Sequence, residues 1–127
     1  MFYLYSPEDV AMHQLDTEMQ QCVDLCQACA TTCFTTAMNH CLEEGGKHVE
    51  PKHFQLMIAC SEICKTTAAV MITGIPQHVF VCNACEEICN ACAVSCEKVG
   101  EMQECVDACR QCAASCEAMS NEKREAA

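Results

Sequence analysis

Fifteen of the sixteen cysteines in this chain follow one another, within their clusters, at steps of only three or four residues. They run Cys22, Cys26, Cys29, Cys33; Cys60, Cys64; Cys82, Cys85, Cys89, Cys92, Cys96; and Cys105, Cys109, Cys112, Cys116, with Cys41 standing beyond the first cluster. Alternating threes and fours are the period of one face of an α-helix. The pattern continues past the thiols. Met12, Leu15 and Met19 precede Cys22, and Thr36 and His40 follow Cys33. His53 and Met57 precede Cys60, and Thr67 and Met71 follow Cys64. His78 and Val99 bracket the third cluster, Met102 and Met119 the fourth. The spacing predicts four amphipathic helices, each with a sulfur stripe.

Composition sharpens the point. Leu, Ile, Val and Phe make up only 23 of 127 residues at a net charge of -11, a balance that verges on disorder. Yet 51% of residues are apolar, because the chain has 16 Cys, 16 Ala and 8 Met. Cys and Met must take the core positions that Leu usually fills. Helix punctuation agrees. Ser6 suits an N-cap with Pro7 at N1, and Glu8 and Asp9 suit the positive end of the dipole. Gly45-Gly46, Gly74 and Gly100 are stops, Pro51 and Pro76 are starts, and Lys123 and Arg124 suit a C-terminus. The helices are expected over 7–44, 51–73, 76–99 and 101–121. Their short connections imply a single all-α domain over 1–127, an antiparallel up-down-up-down four-helix bundle with a Cys-lined core. Cys85 to Cys92 also resembles Cys105 to Cys112 as an internal repeat.

Several function classes are disfavoured. Eighteen acidic against seven basic residues repel a phosphate backbone, so no nucleic-acid partner is expected. No apolar run approaches the roughly 18 to 20 residues of a membrane span, and residues 1–7 lack the basic start of a signal peptide. A cytoplasmic address without membrane contact is the expectation. No Ser/His/Asp or Cys/His pair has a catalytic context, so the chain is not expected to be an enzyme.

A seam of thiols is too thin to fill a bundle, which leaves a tube that needs contents. Disulfides along one helix are disfavoured, since Cβ atoms three or four residues apart lie about 5 to 6 Å apart and a bridge wants about 3.5 to 4.5 Å. Bridges between helices fit a reducing cytoplasm poorly. Iron–sulfur ligation uses loop-borne runs that are absent here. Zinc remains open, because Cys26/Cys29, Cys82/Cys85, Cys89/Cys92 and Cys109/Cys112 are nominal C-x2-C pairs. Charge favours a monovalent ion. Four zinc ions would neutralise half of sixteen thiolates, whereas about one Cu(I) per thiolate neutralises them all, and buried uncompensated charge is expensive. Cu(I) also prefers soft sulfur ligands and accepts low coordination numbers. A zinc or mixed soft-metal buffer is the alternative, and a redox or electron-transfer protein a more distant one.

The ladders Cys22-x3-Cys26-x2-Cys29-x3-Cys33 and Cys105-x3-Cys109-x2-Cys112-x3-Cys116 resemble those of the bacterial copper storage proteins, Cys-rich four-helix bundles. The likeness covers about residues 7–120. It implies cytosolic storage of many Cu(I) ions, a homotetramer, and a copper chaperone or copper-requiring enzyme as donor or recipient. The chain departs from the pattern in helix two, where only Cys60 and Cys64 are thiols.

Antiparallel threading would gather His40, Cys41, His53, Met57 and Met102 at one end, and Met12, Leu15, Met19, Met71, His78 and Met119 at the other. The first group is expected to be the copper entrance, with His40, His53, Met57 and Met102 as further ligands. His13 and His48 are expected to be solvated. Phe54, Ile58, Ile72 and Phe80 fall away from the stripe, where an interface between copies would cover them.

Overall fold

The computed structural model describes residues 15–126. Four long helices and their short connections account for nearly all of them: α1 (Thr17–Thr35), α2 (Pro51–Thr73), α3 (His78–Val99) and α4 (Gln103–Ala126). Helix α1 continues into a π-helical segment, Thr36–Cys41, and a last α-turn, Leu42–Glu44; a 3₁₀ turn, Gly46–Val49, leads into α2. Each helix lies against its chain neighbours, and α1 lies against α4, so the four close into an antiparallel ring.

The ends follow from local chemistry. Asp16 has extended backbone (φ -65, ψ 165), and its carboxylate accepts a hydrogen bond from Met19 N at 2.8 Å. The helix that carries the first stripe therefore starts after Asp16, not at residue 7; the expected cap at Ser6 lies outside the described residues. Glu50 caps α2 in the same way through His53 N, with Pro51 at the first turn. Gly74 and Gly100 end α2 and α3 as expected. Helices α3 and α4 start two residues later than the sequence suggested, because the turns at 74–77 and 100–102 use those residues to reverse the chain.

The stripes turn inward with one adjustment. Beyond Cys33 the sequence pattern placed Thr36 and His40 in the core, but the fully buried residues are Ala37 and Cys41. The eight residues from Cys33 to Cys41 would rotate an α-helix about 80° past the seam. The π-helical segment widens the turn by one residue and brings Cys41 back to the interior.

All sixteen cysteines are fully buried. Met19, Met57, Met71, Met102 and Met119 are buried with them, along with Val23, Val99, Val106 and several alanines, and no Leu, Ile or Phe is fully enclosed among the described residues. Phe54 and Ile58 are half-buried against this core instead of pointing freely outward, while Ile72 and Phe80 are exposed.

Contrary to the sequence reading, α2 and α3 are each long and apolar enough to cross a membrane, with mean hydropathies of 1.4 and 1.3. Part of that hydropathy is thiol, and those thiols face the bundle interior. Lys52, Glu62 and Lys65 on α2 and Glu87, Glu97 and Lys98 on α3 are exposed, as on helices of a water-facing bundle.

Candidate metal centre

Each helix presents a thiol roughly every turn, and the ring of four brings the stripes face to face. Eleven of the sulfurs form one connected network by direct contact. Cys22 and Cys26 lie 3.9 and 3.7 Å from Cys116, and Cys26 lies 3.6 Å from Cys112. Cys64 lies 3.7 Å from Cys112 and from Cys85, and 3.4 Å from Cys89. Cys60 joins Cys89 at 3.7 Å to Cys109 at 3.8 Å, and Cys33 reaches Cys109 at 3.6 Å. Cys29 touches Cys33, Cys60 and Cys109 at 3.9 to 4.0 Å. Three quartets have all four sulfurs within 4.8 Å of one another: Cys26/Cys85/Cys112/Cys116, Cys29/Cys33/Cys60/Cys109 and Cys29/Cys64/Cys89/Cys112. Cys29 and Cys112 each belong to two quartets, so the quartets share corners instead of standing apart. Cys82 couples to Cys116 and Cys22, Cys92 to Cys109, and Cys96 to Cys105.

This crowding sets the protonation of the tube. A thiolate is stabilised by S–H donors around it, and those donors keep their protons in turn. Cys112 is held down at about 6 by the Cys116 thiol, and Cys22, Cys29 and Cys85 are also lowered, chiefly by Cys116, Cys109 and Cys112 respectively. The other twelve are raised. Burial pushes Cys41 up to about 11, and Cys96 and Cys105 rise to about 12 through Cys105 and Cys33 in turn. The metal-free core is thus mostly neutral thiol, and a bound Cu(I) that displaces one proton leaves the charge of the interior unchanged.

The end reached by Cys41 combines several donors. Cys41 Sγ lies 3.6 Å from Met57 Sδ. His53 is buried with Nδ1 2.8 Å from Ser95 Oγ, and its Nε2 has no hydrogen-bond partner. Desolvation lowers its pKa, so the ring is biased toward the neutral form that binds metals. His40 is half-buried and lines a cleft of about 740 Å³ whose walls also include the buried Met102, Cys96 and Cys105. His40 and His53 are not joined in one ligand group. The partner of His40 is His48, its ring centroid 5.0 Å away and edge-on.

His48 corrects the expectation of a solvated loop histidine, because it is only 5% exposed. Gly45 and Gly46 adopt positive φ (68 and 54), which folds the 3₁₀ turn back over the mouth and buries the imidazole. Glu44 and Glu101 complete a group of four with His40 and His48, all ligand atoms within 4.8 Å. Neither acidic residue was picked out from sequence. Glu44 lies four residues beyond His40, a helical spacing that could have flagged it; Glu101 arrives from the α3–α4 connection, distant in sequence, and left no local signal.

At the opposite end Met71, His78 and Met119 are buried as the pattern indicated, and Met12 lies outside the described residues. His78 Nδ1 is 2.7 Å from the Ile75 carbonyl, which orients the ring. Thr67 fills the place of a thiol on α2, fully buried and with its Oγ1 unpartnered.

A closed ring of four antiparallel helices around contiguous free thiols defines a soft-metal-binding bundle, suited to several Cu(I) ions per chain. The chain belongs to the copper storage protein family, whose family model matches residues 15–121. Two solved structures are similar. The Nmul_A1745 protein from Nitrosospira multiformis shares 50% identity with a TM-score of 0.82, over 84% of this chain and 98% of that one. A Cu(I)-bound copper storage protein, BsCsp3, shares 30% identity with a TM-score of 0.76, over 82% of this chain and 99% of that one. No curated protein matches the chain.

Proposed function

We propose that this protein stores Cu(I) in the cytosol, holding many ions on the thiolates inside the bundle and performing no catalysis. One observation carries the reading: among sixteen buried thiols, ten form three corner-sharing quartets, not separate four-sulfur cages. Bridging thiolates of that kind suit ions that accept two or three sulfurs each. The Cu(I)-bound state of BsCsp3, a structural relative over most of its length, supports the same metal. A reducing compartment would keep sixteen free thiols available. Copper would arrive from a chaperone or leave to a copper-requiring enzyme through the cleft that joins His40 and Met102 to Cys96 and Cys105, with His53, Met57 and Cys41 as further ligands.

Anaerobic titration of reduced protein with Cu(I) is expected to saturate at roughly 14 to 20 ions per chain, as low-coordinate thiolate binding implies. Saturation near four ions without preference over zinc would contradict it. Zinc storage is the second reading, favoured by the tetrathiol quartets themselves. Shared corners count against it, since Cys29 and Cys112 cannot each complete two separate ZnS₄ sites without bridging.

The chain is further proposed to assemble as a homotetramer, covering exposed Ile72 and Phe80 beside half-buried Phe54 and Ile58. Light scattering should give an oligomer that Ile72→Glu with Phe80→Glu dissociates; a monomer mass for the parent would contradict the assembly.

A further inference from the structure

At the mouth, four potential ligands stand apart from the sulfur core. His40 comes from the π-helical segment, Glu44 from the turn that follows it, His48 from the 3₁₀ turn and Glu101 from the α3–α4 connection. Their ligand atoms lie within 4.8 Å of one another. His48 is 95% buried by its 5% exposure, and its Nδ1 has no hydrogen-bond partner; the buried Nε2 of His40 also has none. Burying polar nitrogens without partners is costly. Among the described residues no ion pair joins either imidazole to Glu44 or Glu101.

Glu101 adds an independent sign. Its φ of 61 is left-handed, and it is the one non-glycine residue with positive φ among those described. That conformation is unfavourable for a side-chain-bearing residue, and here it falls on one of the four candidate ligands.

We propose that His40, Glu44, His48 and Glu101 form a binding site for a borderline divalent cation of the Zn(II) class, separate in chemistry from the Cu(I) core. Two imidazoles and two carboxylates are harder than thiolates. They suit Zn(II), whose bonds to N and O are about 2.0 to 2.2 Å, and offer little to Cu(I), which prefers sulfur. Donors around such an ion are separated by about 3.4 Å, so the present group must contract by about an ångström. Glu44 and Glu101 are exposed and free to make that movement. A bound ion would fasten three segments across the mouth of the tube.

The inference does not depend on what fills the core, and imidazole nitrogen NMR reads the site directly. Reduced protein, as purified and after Cu(I) loading, is titrated with Zn(II) while the ring nitrogens of all histidines are followed. One equivalent beyond any zinc taken by thiols should shift His40 and His48 and leave His78 unmoved. Glu44→Gln and Glu101→Gln should each weaken binding at least tenfold, and His48→Ala should abolish it, with far-UV circular dichroism confirming the helices. The proposal is overturned if neither imidazole responds to Zn(II) in either state. It is equally overturned if the response survives both carboxamide substitutions at full affinity. Failure of Cu(I) to load would appear separately, in the metal content, and would leave this readout intact.

Discussion

Cys29 is the sulfur through which two of the three quartets share a corner, and Cys29→Ala tests whether that sharing governs capacity. Its Sγ has three sulfur neighbours within 4.0 Å, on three different helices: Cys33, Cys60 and Cys109. In a network where each thiolate bridges two ions and each ion sits on two thiolates, ions and sulfurs are equal in number. Deleting one sulfur then strips one ligand from each of two ions, and rearrangement recovers one ion at best. The expected loss is about one to two Cu(I) per chain, with the next ions bound more weakly at Cys33, Cys60 and Cys64. Cys41 is the internal control. Its neighbouring sulfur is the Met57 thioether, so Cys41→Ala should cost at most about one ion and leave the quartets intact. Either change removes a single buried sulfur, a cost of about 1 kcal/mol to the apo fold, and far-UV circular dichroism should stay helical. Anaerobic titration against a chromophoric Cu(I) chelator gives both number and affinity. Unchanged capacity and affinity in Cys29→Ala, or equal behaviour of the two variants, would refute the idea that network position sets storage.

Four further outcomes are expected. The reduced, metal-free protein should already be helical by circular dichroism, because caps at Asp16 and Glu50 and the apolar seam are in place without metal; a coil spectrum would place the bundle with zinc fingers, which need metal to fold. Thiols with raised pKa values, such as Cys41, Cys96 and Cys105, stay neutral near pH 7, so Cu(I) loading should release protons in a pH-stat and weaken as pH falls; loading without proton release would contradict it. The same raised thiols, such as Cys41 at about 11 and Cys105 at about 12 against an ordinary 9, stabilise the apo fold below pH 9, and that contribution should be lost between about 9 and 12 in urea melts. At the mouth, His40→Ala with His53→Ala should slow Cu(I) uptake severalfold with capacity nearly intact; unchanged stopped-flow rates, with slowing instead in His78→Ala, would move the entrance to the other end.

The bundle was legible because a helix period written in cysteine leaves little freedom: every thiol from Cys22 to Cys116 has one inward face to occupy. Reading became unreliable where the period broke. The eight-residue step from Cys33 to Cys41 needs a widened turn, and a uniform α-helical rule put Thr36 and His40 on the inward stripe and missed Ala37, although Cys41 was expected among the ligands at that end. His48 was misplaced because its burial depends on Gly45 and Gly46 reversing the chain, a tertiary outcome with no periodicity behind it. Glu101 meets His40 from the α3–α4 connection, and the pattern of neither segment encodes that meeting. The apolar character of α2 and α3 was underestimated for a related reason, since thiols and alanines raise hydropathy without forming a run of large side chains.

Crystals of the protein loaded anaerobically with Cu(I), measured with anomalous scattering at the copper edge, test the storage account most directly. The account predicts a column of copper peaks along the bundle axis, each between two or three of the sixteen cysteine sulfurs, with Cys29 and Cys112 each bonded to more than one ion. A few isolated four-sulfur sites, or copper confined to the bundle surface with the thiols unoccupied, would contradict it.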